Sequence, residues 1–197
     1  MFNFKHIFSR LMLAAALAGS MAPVAATPIY HVDIDTSTLG TGQAFLGLYF
    51  AGLAGATQAT ATATAITGAF SGPATLSGSV SGGVPGPLVF SNANGGGDWY
   101  QGITLGGKFS FDVSFVVGSG NTGSTFGWAL FDTEKYLGVD GDLGDFFVQP
   151  FAAAEQQVLS SVQDTHFTGV AYIPEPSSAA LLLMAGLALL GAATRRR

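Results

Sequence analysis

Through the middle of the chain, apolar and polar residues alternate with a period of two. Tyr30, Val32 and Ile34 alternate with His31, Asp33 and Asp35, the mark of a strand with one face buried. From Lys108 to Val117 the odd positions are Phe109, Phe111, Val113, Phe115 and Val117, and the even ones Lys108, Ser110, Asp112, Ser114 and Val116. This is the clearest strand in the sequence. Ser124 to Asp132 repeats the pattern, with Phe126, Trp128 and Leu130 on one side. Ala44 to Phe50 is apolar on both faces except at Gly47, which predicts a central strand. Turn-forming clusters separate these runs: Val84-Pro-Gly-Pro87, Asn92-Ala-Asn-Gly-Gly-Gly97, Gly118-Ser-Gly-Asn-Thr-Gly123 and Asp140-Gly-Asp-Leu-Gly-Asp145. Short alternating strands punctuated in this way predict an all-β fold, an antiparallel β-sandwich with the jelly roll as one form of it. One segment breaks the pattern. Phe151, Ala154, Val158, Leu159 and Val162 follow Pro150 at helical spacing, predicting a short helix there and a last strand from His166 to Tyr172.

The two ends have a different character. Residues 1–26 start with Lys5 and Arg10, continue through the apolar run Leu11 to Ala18, and finish on Val24-Ala25-Ala26. A positive start, an apolar centre and small residues before a cut are the parts of a secretory signal peptide, with cleavage expected between Ala26 and Thr27. Residues 173–197 hold Pro174-Glu175-Pro176, an uncharged apolar run from Ala179 to Ala193, and Arg195-Arg196-Arg197. A helix over 178–194 would reach roughly 25 Å, close to the hydrocarbon thickness of a bilayer. The three arginines after it would stay on the cytoplasmic side. A buried terminal helix of a soluble domain is the alternative, but such a helix carries a polar face and this one has none.

Pro-Glu-Pro, an apolar helix and a terminal arginine cluster, in that order, resemble the PEP-CTERM sorting signal of Gram-negative bacteria, the substrate class of exosortases. The resemblance covers about the last 25 residues. It implies that an exosortase-like protease reads Pro174, Glu175 and Pro176 from the periplasmic side, cuts nearby and releases or transfers the mature chain. It also implies a setting of extracellular polysaccharide, matrix or biofilm. The body's opening, from Tyr30 to Leu39, is similar to that of other sorted proteins with no assigned activity. The domains expected are therefore a signal peptide (1–26), a β-sandwich body (27–172) and a sorting signal (173–197).

Charge narrows the body's function further. Residues 27–173 carry eleven carboxylates against Lys108 and Lys135, a formal net charge of −9, with no arginine. Nucleic acid and anionic membrane surfaces are excluded as partners, because phosphate binding needs several cations together. Cysteine is absent, so the exported body has no disulfides to hold it. Enzymatic chemistry finds few tools. The body has His31 and His166 as its histidines, no Gly-x-Ser-x-Gly and no P-loop lysine. Glu134 and Glu155 suggest a glycosidase pair only by their scarcity, so the body is expected not to be an enzyme.

Three stretches remain as candidate sites. Asp140, Asp142 and Asp145 sit among glycines and are hard oxygen ligands of the kind Ca²⁺ prefers, although the spacing departs from the EF-hand and an acidic turn kept soluble by its charges is the simpler explanation. Thr60, Thr62 and Thr64 alternate with alanines, a ladder that could carry O-linked sugar or simply be a β-favouring strand. Trp99 and Tyr100 follow a glycine loop, and if exposed they could stack on sugar rings. Two roles thus stand for the body, a structural matrix component or a carbohydrate-binding module; the second needs Trp99 or Tyr100 exposed, and a buried Trp99 would remove its main stacking candidate.

Overall fold

A computed structural model describes residues 27–153 and 156–173. The expected signal peptide and the segment from Pro174 to Arg197, with its expected membrane helix, lie outside the described residues, as do Ala154 and Glu155. Among the described residues no helix is long and apolar enough to cross a membrane.

The described chain is all-β apart from single helical turns at Ser37–Leu39 and Ala93–Gly95 and a helical residue at Gln156. Its strands are β1 (Ile29–Asp35), β2 (Gln43–Gly52), β3 (Ala59–Thr67), β4 (Phe70–Gly78), β5 (Val80–Gly82) and β6 (Leu88–Ser91), followed by β7 (Gly96–Thr104), β8 (Lys108–Val117), β9 (Ser124–Phe131), β10 (Gly144–Val148), β11 (Val158–Val162) and β12 (Thr168–Ile173). They form two six-stranded antiparallel sheets, ordered β12-β1-β8-β3-β6-β5 and β11-β10-β9-β2-β7-β4. The chain switches sheet between β1 and β2, β2 and β3, and β3 and β4. Each sheet is therefore laced from distant parts of the sequence, and partners such as Val32 and Phe111 meet across the register.

The period-two pattern sets the core. Phe109, Phe111, Val113 and Phe115 of β8 are buried, as are Phe126, Trp128 and Leu130 of β9 in the opposite sheet. Their rings meet between the layers: Phe111 lies 6.2 Å from Phe126 and 6.1 Å from Trp128, and Phe115 lies 5.5 Å from Phe146 of β10. Each such side chain contributes about 1.5–3 kcal/mol on burial, which is how a chain without disulfides holds together. Polar groups tie the layers as well. Trp128 Nε1 donates to Thr168 Oγ1 of β12 at 3.1 Å, and that hydroxyl donates to the Asp33 carbonyl at 2.8 Å. Buried Asn92 donates to Ser124 Oγ at 2.7 Å and accepts from the Ala59 amide at 2.9 Å.

Several sequence expectations meet the structure directly. β2 is central, between β9 and β7, and β3 buries Ala59, Ala61 and Ala63 while Thr60, Thr62 and Thr64 face outward. The helix expected after Pro150 does not form at Val158–Val162, which is strand β11, paired with β10 from Val158↔Val148 to Gly144↔Val162. An isolated helix of that length is marginal, whereas β10 offers a whole open edge for Val158 to Val162 to pair with. The last strand begins at Thr168 rather than His166, because Asp164 holds the His166 amide and ring in a turn, both at 2.8 Å.

Candidate functional site

The outer face of the second sheet is built around glycine. Strands β9, β2 and β7 lie side by side, with Phe45, Gly47 and Tyr49 of β2 pointing away from the core. Tyr49 stands directly opposite Gly127 of β9, and its ring lies so closely over that residue that a β-carbon there would overlap Tyr49 Cζ and Oη. Gly47 makes room in the same way: a β-carbon would sit 2.9 Å from Phe131 Cε1. Glycine inside a strand commonly marks such a close approach. Phe131 can then stack on Phe45 at 5.5 Å, and Tyr100 of β7 meets both rings edge-on at 5.9 Å.

The connection from β9 to β10 folds over this face. Asp132 Oδ1 accepts from the amides of Glu134 at 2.7 Å and Lys135 at 2.9 Å. These bonds draw the Asp132 carboxyl below its usual range. The turn brings Tyr136 back to bridge with Phe131, and the Leu137 amide donates to the Leu130 carbonyl at 2.8 Å. Further along, Asp142 Oδ2 accepts from the Tyr49 hydroxyl at 2.5 Å. Burial first, and then this bond and the charge of Asp142, raise the Tyr49 hydroxyl far above its ordinary value, so it remains a proton donor. Asp145 is raised too, by burial and then by Asp142. Between loop and sheet lies a groove of about 560 Å³, lined among others by Tyr49, Asp98, Tyr100, Glu134, Tyr136 and Asp142.

The sequence-predicted site residues fare differently. Trp99 is 0 % exposed and packs on Phe70 at 6.0 Å, so it cannot stack on a sugar. The alternation of β7 turns Asp98 and Tyr100 outward and Trp99 inward. Tyr100 does reach solvent, at 37 % exposure. For Asp140, Asp142 and Asp145, among the described residues no three His, Cys, Asp or Glu are grouped to hold an ion. Asp142 is turned toward Tyr49, and Asp145 lies on β10 opposite Gly127 and Ser161. Thr27 is the first described residue, while Ala26, Pro174, Glu175, Pro176, Arg195, Arg196 and Arg197 lie outside.

Sequence reasoning missed Tyr49, Asp98 and Phe131 as companions of Tyr100. The signal was Gly47, a lone gap in an apolar strand. On the outer face of the other sheet, His31 sits between two carboxylates, with Nδ1 2.6 Å from Asp112 Oδ1 and Nε2 3.3 Å from Asp33 Oδ1. The hydrogen bond to Asp112 is the main cause that raises the His31 pKa.

Comparison with known proteins gives one match: the family described as the PEP-CTERM protein-sorting motif, over residues 173–197. No curated protein and no solved structure matches the chain.

Proposed function

From a chain that carries a PEP-CTERM protein-sorting motif at residues 173–197, we propose an exported surface protein whose body is delivered, tethered and then cut free. Residues 1–26 engage the secretion translocon and are removed between Ala26 and Thr27. The helix over 178–194 holds the chain in the inner membrane, with Arg195 to Arg197 on the cytoplasmic side. An exosortase-like protease reads Pro174-Glu175-Pro176 and passes the body to the cell surface or extracellular matrix. There it serves as a non-enzymatic structural component associated with extracellular polysaccharide.

The match over 173–197 carries this reading. The body's construction supports it, because a cysteine-free core closed by two sheets needs no redox assistance after export. The strand order β1-β8-β3-β6 facing β2-β7-β4 supports the jelly-roll form of the sandwich. Outward-facing Thr60, Thr62 and Thr64 offer hydroxyls for O-linked sugar.

Glu175→Ala tests the processing step. Full-length protein should accumulate in the inner-membrane fraction, while the native chain appears outside with an intact mass that lacks both ends. Normal release of the variant would remove Glu175 from the reading, and a released native chain that keeps Arg197 would end it.

A further inference from the structure

The groove over β2, β7 and β9 has two exposed tyrosines on one opening, and the rest of the fold holds both in place. Tyr100 is 37 % exposed and Tyr136 is 50 % exposed. Tyr100 is braced edge-on by Phe45 and Phe131. The backbone at Tyr136 is fixed by its bridge to Phe131 and by the turn that Asp132 closes. A ring braced as Tyr100 is meets a ligand with little further loss of rotamer freedom.

Polar groups around the rings are of a restricted kind. Asp98, Asp132, Glu134 and Asp142 line the opening against a single cation, Lys135. Asp132 is occupied by its own turn and Asp142 by Tyr49. Asp98 and Glu134 take no side-chain partner among the described residues, and Ser77 adds a hydroxyl. Such a set accepts hydrogen bonds from hydroxyl groups and repels anions.

We propose that this groove is a glycan-binding site that seats a neutral polysaccharide chain, its sugar rings against Tyr100 and Tyr136 and its hydroxyls donating to Asp98 and Glu134. Apolar C–H faces on aromatic rings, with a few convergent polar groups to fix orientation, is the division of labour expected of a small-ligand site. The site is independent of the sorting motif: failure to bind glycan leaves processing at Glu175 untouched, and normal release of Glu175→Ala leaves this site untouched.

Affinity gel electrophoresis of the full chain in a sugar-free zwitterionic detergent provides the test. The probes are dextran, galactomannan and a soluble β-glucan, with polygalacturonate as the anionic probe and oligolysine as a cationic peptide. The expected result is retardation by at least one neutral polysaccharide, unaffected by polygalacturonate or oligolysine as competitor. Tyr100→Ala and Tyr136→Ala should each weaken it by about tenfold, and Glu134→Gln, on an exposed turn, should weaken it less. Far-UV circular dichroism establishes that each variant is folded, and Tyr136→Ala carries the test if Tyr100→Ala is not. Retardation by no neutral polysaccharide overturns the proposal. So does binding confined to polygalacturonate or to oligolysine, or neutral-glycan binding that a folded Tyr136→Ala variant leaves unchanged.

Discussion

Two indoles lie fully buried in the sandwich, and they differ in one respect. Trp128 donates its N–H to Thr168 at 3.1 Å, whereas Trp99 Nε1 has no acceptor among the described residues. Replacing each by phenylalanine removes similar apolar volume, at a shared cost of roughly 2 kcal/mol. Trp128→Phe also loses a buried hydrogen bond, about 1 kcal/mol more, for a total of about 3 kcal/mol. Trp99→Phe removes an unsatisfied buried donor, which returns about 1–3 kcal/mol and leaves a net change between about 1 kcal/mol of loss and about 1 kcal/mol of gain. The variants should therefore differ by roughly 2–4 kcal/mol, or about 6–12 °C in melting temperature for a domain of this size. Urea and thermal unfolding of residues 27–173 measure this directly. The chain has two tryptophans, so each variant retains one fluorescent reporter. Equal destabilisation, or a larger loss for Trp99→Phe, would refute the assignment of the two N–H groups.

Two further perturbations probe the outer faces. The folded pKa of His31 is raised above 6.5, mainly by its hydrogen bond to Asp112, against a smaller opposing effect of burial and with help from Asp33. Its stabilisation is therefore complete below pH 6.5 and fades as pH rises through the folded value. His31→Gln should flatten that part of the urea midpoint against pH, and an unchanged slope would show that another group titrates. Gly127→Ala should drive the Tyr49 ring off β9 and break its bond to Asp142. The cost is about 1–3 kcal/mol by overpacking, read by thermal unfolding, and a variant as stable as the native chain would contradict the ring's placement.

Much of the fold was legible where one face is dry and the other wet. The Lys108–Val117 alternation matches β8 residue for residue, since each inward position is a large apolar side chain. In β7 the same rule was obscured by Gly96, Gly97 and Gly102, so the inward turn of Trp99 between Asp98 and Tyr100 was not read. Strand order had no local signal: β1 pairs with β8 and β12, and nothing in residues 29–35 names partners so far along the chain. β11 was misread because its apolar spacing suits a helix in isolation, while the open edge of β10 is a tertiary fact. The groove was half legible, Tyr100 from its aromatic neighbours in sequence and Gly47 as a gap, but the loop that roofs them depends on contacts between Tyr49 and Asp142.

The register of the outermost strand pair bears on the processing proposed for both ends of the body. Ile29 pairs with Ile173 and Tyr30 with Tyr172, so the two ends of the described body lie together at one end of an antiparallel pair. Ile173 is both the last residue of β12 and the first of the sorting-motif match. Tyr172 and Ile173 are 59 % and 38 % exposed, whereas Thr168, which accepts from Trp128, is buried. A cut after Ile173 therefore removes no residue of the described core. A cut before Thr168 would strip a strand from the sheet edge and leave the Trp128 indole without its acceptor. The last residue of β12 and the first of the sorting-motif match coincide at Ile173, so the proposed release would require no repacking of the sandwich.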